Sequence, residues 1–158
     1  MKKITVTKAE LNAVSIVEKP AIGVPAWLSV GGNAFVGAIL IPGMDILRVA
    51  DGEEFMLSFT KDCVADLGWQ IYERDLFGAV DIDHSGKAVE GAEITNLWIE
   101  EPDFSLASEV GYRAGSIPMG TLMGRIELPA DCSGEVLAKG LNGFSVDVTV
   151  TDYEESEE

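Results

Sequence analysis

An α+β domain, mainly β, is what this sequence predicts: a distorted antiparallel barrel or sandwich of about six or seven short strands, with one longer helix and one short helix packed outside. Three observations carry that expectation. Apolar and polar residues alternate over short stretches, most regularly at Phe144, Val146, Val148 and Val150, which is the period of a half-buried strand. Turn residues punctuate the chain at short intervals, as at Gly31-Gly32-Asn33, Pro42-Gly43 and Ser85-Gly86-Lys87. Only two stretches, one after Thr60 and one after Asp131, carry helical signals.

Taken in order, Ala13 to Ile22 reads as a strand ended by Pro20, because the residue before proline is pushed out of helical geometry. The nearly continuous apolar run Ala34 to Pro42 predicts a central strand buried on both faces. After an acidic loop, Asp51 to Glu54, comes a short strand over Phe55 to Phe59. Thr60 is placed to cap a helix that carries Val64, Leu67, Trp69, Ile71 and Tyr72 to about Arg74, with Gly68 a propensity cost inside it.

Val80 to His84 is read as a strand with Val80, Ile82 and His84 on one face and Asp81 and Asp83 on the other. Ala92 to Glu101 predicts a strand that is covered on both faces or bulged, since Ile94 and Trp98 fall out of step with Leu97 and Ile99. Pro102 to Pro118 is long enough to be a functional loop. Thr121 to Leu128 is a further strand, and Asp131 or Ser133 caps a short helix through Lys139 that stops at Gly140.

At 158 residues and 47% hydrophobic content the chain suits one domain over residues 1–150, followed by an acidic tail, residues 151–158, without fixed structure. The formal net charge of −16 argues against nucleic acid as a partner, because phosphate binding needs clustered Lys and Arg. No apolar run reaches the length of a membrane span, and Met1 to Lys8 lacks the apolar segment of a signal peptide, so no membrane and a cytoplasmic setting are expected. Cys63 and Cys132 read as free thiols. Asp81, Asp83 and His84 do not make a metal site if alternation turns both aspartates from the ring, and no cofactor is expected. Trp27, Trp69 and Trp98 read as core or rim aromatics.

One stretch points to chemistry. In Gly140-Leu141-Asn142-Gly143-Phe144-Ser145, a serine enters a strand directly behind two glycines, where backbone N–H groups can approach a ligand closely. A serine hydroxyl is a weak nucleophile until a base takes its proton, and imidazole suits that task near neutrality. His84 is the single histidine of the chain. The backbone N–H groups of Gly143 and Phe144 are the natural oxyanion donors beside such a serine.

The ordered set of Val14-Ser15-Ile16-Val17-Glu18-Lys19-Pro20-Ala21-Ile22, Val36 to Ile41, Asp83-His84 with a Trp-bearing strand behind it, Gly120 to Ile126, and Gly143-Phe144-Ser145 resembles the XkdF-like prohead maturation serine proteases of tailed phages, related in fold to herpesvirus assemblins. The likeness runs over most of the chain. It implies a Ser-His endopeptidase with Ser145 as nucleophile and His84 as general base, packaged with scaffold and major capsid proteins inside a procapsid in the host cytoplasm and cutting scaffold, itself and the capsid protein. A homodimer is a further implied partner. The third catalytic member stays open between Asn96, at the place on the strand after the histidine where relatives carry an acid, and Asp147, one pleat from Ser145, with Glu93 and Glu100 as further options. The alternative function is a non-catalytic phage assembly or scaffold protein that keeps the protease-like barrel.

Overall fold

The computed structural model of the chain describes residues 1–18, 25–101 and 106–157. Its larger sheet is built on one long strand, β1 (Lys2–Val17). The expected first strand was shorter, and its Lys19-to-Ile22 end lies outside the described residues. The length of β1 is hidden in the sequence because its ladder slips between Val6 and Lys8, Lys8 and Ala9, and Leu11 and Ala13. Each slip resets the period of two, so that Val6, Ala9, Leu11, Val14 and Ile16 all stay buried.

Strand β9 (Gly143–Glu157) runs antiparallel along one edge of β1, from Val17 opposite Gly143 to Lys2 opposite Glu157. Residues 151–157 are therefore strand and not the unstructured acidic tail expected. The counter-charge comes from the other terminus, where Lys2 Nζ lies 3.3 Å from Glu155 Oε1. The second edge of β1 is shared. Strand β5 (Glu53–Phe59) lies parallel to Lys2 to Val6, and the three-residue β6 (Val80–Ile82) lies parallel to Val14 to Ile16.

Helix α1 (Lys61–Glu73) joins those two strands, capped as expected by Thr60, whose hydroxyl accepts from the Cys63 N–H. Its side chains also finish the edge of β1 that β5 and β6 leave uncovered. Gln70 accepts from the Leu11 N–H and donates to the Ala9 carbonyl, each at 2.9 Å, and Arg74 donates to the Leu11 carbonyl at 2.7 Å. Backbone polar groups that would otherwise sit unpaired are thereby satisfied.

Strand β4 (Ile46–Ala50) forms a hairpin with β5 through Asp51 and Gly52, at φ 53° and 77°. Two successive positive φ values define the tight hairpin turn that Asp-Gly favours. Of the stretch expected to be an acidic loop, Asp51 and Gly52 are this turn, and Glu53 and Glu54 already belong to β5.

The second sheet is antiparallel, in the order β2 (Leu28–Ser29), β3 (Ala34–Leu40), β8 (Leu122–Glu127), β7 (Glu93–Ile99). All seven residues of β3 are buried, as its apolar run requires. One face meets the main core with Phe35 and Ile39, and the other lies with Val36 and Ala38 under the segment containing Ala107, Tyr112 and Ile117. Strand β7 carries a register slip between Ile94 and Asn96. The α+β, mainly β class holds, with two sheets packed as in a sandwich, nine strands among the described residues, and parallel pairs where a wholly antiparallel sheet was expected.

Helix α2 (Ala130–Ala138) follows Pro129, and neither Asp131 nor Ser133 supplies the expected cap. It ends with the Gly140 N–H on Leu137 O and the Leu141 N–H on Val136 O, at 3.1 and 3.2 Å. This pair of bonds with Gly140 at φ 75° is the Schellman ending, and it turns the chain into β9.

Candidate active site

Three strands bring three polar side chains into one row. Ser15 on β1 stands opposite Ser145 on β9 and opposite Asp81 on β6. Residues paired directly across neighbouring strands share a face, so the order across the sheet is Ser145, Ser15, Asp81. Ser15 is wholly buried and Asp81 is 1% exposed. Burial of that kind is tolerated only with partners, and each supplies the other: the Ser15 hydroxyl donates to Asp81 Oδ1. Asp81 Oδ2 accepts from the Gly86 N–H at 3.2 Å.

His84 lies over this row. Strand β6 ends at Ile82, and Asp83 and His84 both take left-handed φ values, 53° and 55°. Non-glycine residues in that region cost on the order of 1–2 kcal/mol each, and such strain is found where a site over-determines it. The two-residue turn returns the ring to the face of Asp81, which corrects the expectation that alternation would set His84 apart from it. His84 Nδ1 lies 3.0 Å from Ser15 Oγ.

The direction of the Ser15 hydroxyl bond sets the tautomer of the ring. A serine hydroxyl has one proton, and a carboxylate can only accept. Once Ser15 donates to Asp81, it can only accept from the imidazole, so Nδ1 carries the proton and Nε2 keeps a lone pair. That is the form of histidine a general base needs. Ser15 and Asp81 are the pair that sequence reasoning missed as site residues, with Ser15 quoted only as part of an apolar motif. The available signal was a serine between Val14 and Ile16, on the opposite face from two core residues.

Ser145 is half-buried and His84 exposed, and both line two adjoining clefts of about 190 Å³ and 480 Å³. Among the described residues no hydrogen bond joins Ser145 Oγ to the ring, whose Nδ1 is engaged by Ser15. Gly143 and Phe144 begin β9 opposite Val17 and Ile16. Phe144 anchors that start: its ring centroid lies 5.2 Å from that of Trp27, and a Cβ on Gly37 would come within 3.2 Å of the Phe144 ring. Gly37 thus permits the close approach that seats the residue next to Ser145.

Of the residues expected as third member, Asn96, Glu93 and Glu100 fall elsewhere. Asn96 is exposed on β7 in the other sheet, paired in register with Arg125, and Glu93 is exposed on the same strand. Glu100 is buried and accepts from the Trp98 indole N–H and the Leu106 and Ala107 N–H groups. Asp147 lines the larger cleft with His84 and Ser145, yet the ring's Nδ1 goes to Ser15. Neither cysteine competes as nucleophile, since burial pushes the Cys63 thiol up to about 11 and raises Cys132 as well. Comparison of the chain with protein-family models, curated proteins and solved structures finds no match.

Proposed function

We propose that this chain is a serine endopeptidase of phage capsid maturation, with Ser145 as nucleophile, His84 as general base, and Ser15 and Asp81 holding the imidazole. The observation that carries the reading is the relay from Asp81 through Ser15 to His84 Nδ1, which leaves Nε2 basic in a cleft shared with Ser145. The capsid setting rests on the likeness of the ordered sequence segments to prohead proteases.

In this mechanism Nε2 takes the Ser145 proton as Oγ bonds to the scissile carbonyl carbon. The carbonyl oxygen gains the charge and is met by the backbone N–H of Phe144, which alternation along β9 turns to the edge away from β1, whereas the Gly143 N–H faces β1 and does not join it. Collapse breaks the C–N bond, Nε2–H protonates the leaving amine, and water then repeats the sequence on the acyl ester. As imidazolium forms, its Nδ1 proton stays on the Ser15 side, where the charge of Asp81 stabilises it through the hydroxyl.

The test is co-expression of the chain with its neighbouring scaffold and capsid proteins, wild type beside Ser145→Ala and His84→Ala, with intact-mass analysis of all products. Fragments made by wild type and missing in both variants are expected. Identical products in all three samples, with particles still assembling, would sink the protease and leave a non-catalytic assembly protein.

A further inference from the structure

We infer that the cleft beside Ser145 receives an extended peptide carrying a carboxylate, which Arg48 binds, among apolar side chains; this deepens the protease reading and rests on it. Arg48 lies on β4, opposite Phe55, and lines both clefts with His84 and Ser145. Apart from His84 it is the only basic residue lining either cleft among the described residues. Its guanidinium donates to the neighbouring Leu47 carbonyl at 3.3 Å. Two carboxylates also line the clefts, Glu18 the smaller and Asp147 the larger, and no ion pair joins either to Arg48 among the described residues.

The surroundings explain why a carboxylate would gain there. Met44, Ile46, Leu57, Phe59 and Val148 make the walls apolar. Arg48 is open to solvent at its surface, yet desolvation by those walls lowers its pKa, so the charged form has lost part of its water. A planar guanidinium is matched to a carboxylate by two parallel hydrogen bonds, which restore what burial removed. The chain as a whole carries −16, so a free cation within the cleft sets it apart from the surrounding surface. Extension of the ligand follows from β9, which among the described residues pairs with β1 alone and leaves its other edge for a further strand.

The carboxylate could belong to an acidic side chain or to the free end of a peptide. The experiment separates these with short peptides holding one Glu, Gln or Lys among apolar residues, made with blocked ends and with a free C-terminus. Cleavage is read by mass spectrometry with the full chain, and equilibrium binding with the Ser145→Ala chain, each with Arg48 intact, Arg48→Gln and Arg48→Glu. Glu should exceed Gln by about 10- to 100-fold, the span expected for a hydrogen-bonded charge. Arg48→Gln should level the two peptides, and Arg48→Glu should favour Lys. A free C-terminus that binds as well without Glu assigns the terminal carboxylate.

Ser145-dependent cleavage without a carboxylate preference, or a preference that survives in Arg48→Gln, overturns the inference and leaves the protease. Arg48-dependent binding of the Glu peptide with no cleavage by wild type overturns the protease and leaves the carboxylate site. Peptides neither bound nor cut overturn both.

Discussion

Asp81 and Glu100 are each 1% exposed, one in each half of the fold, and their hydrogen bonds go to different kinds of partner. Glu100 accepts from an indole N–H and from the backbone N–H groups of Leu106 and Ala107, donors with no second role. Asp81 accepts from one backbone N–H and from a hydroxyl that in turn meets an imidazole. A carboxylate closed off by fixed donors can hold a loop in place. One wired through a hydroxyl to a titratable ring can influence a proton. Burial does not separate the two carboxylates; the next atom along the hydrogen-bond chain does.

The sharpest way to test the difference starts with Glu100→Ala, which orphans several buried donors. A stability loss of about 3 kcal/mol or more is expected in urea unfolding, with cleavage per folded molecule unchanged. Asp81→Asn should do the reverse. An amide can donate to Ser15, turn the hydroxyl proton toward Nδ1, and so place the imidazole proton on Nε2; kcat/KM should fall by about 100-fold with a loss of only about 1–2 kcal/mol in unfolding. Equal losses of rate in the two variants would erase the distinction. Ser15→Ala leaves both Asp81 and Nδ1 without their shared partner, and a loss of rate of about 10- to 100-fold is expected in the same assay. Smallest is the turn itself: Asp83→Val should destabilise by about 1–2 kcal/mol because a β-branched residue resists φ 53°, while Asp83→Gly stays near wild type by thermal melting.

Local signals in the sequence found the local structure. The apolar run gave β3, Thr60 and the spacing after it gave α1, and Gly140 marked the end of the second helix. What escaped depended on phase and on distance along the chain. Bulges concealed β1, an Asp-Gly turn was read as an acidic loop and so β4 was lost, and the partner that orders residues 151–157 lies at the opposite end of the sequence. Ser145 and His84 stood out as candidates because a serine behind a glycine turn and a single histidine are recognisable as residue types. Ser15 and Asp81 were not, because only the parallel pairing of β1 with β6 and two left-handed residues carry the ring to them.

The pairing of β1 with β9 also has a consequence in time. Ser15 and Asp81 are separated by 66 positions, whereas Ser15 and its neighbour Ser145 join segments from opposite ends of the described chain. During synthesis the relay beneath His84 can form once β6 has left the ribosome, long before Ser145 is made. Contacts so distant in sequence are slow to close. A nascent chain therefore holds His84 over a finished Ser15–Asp81 pair while Ser145 is still absent, and the complete row of side chains comes together only as β9 zips onto β1.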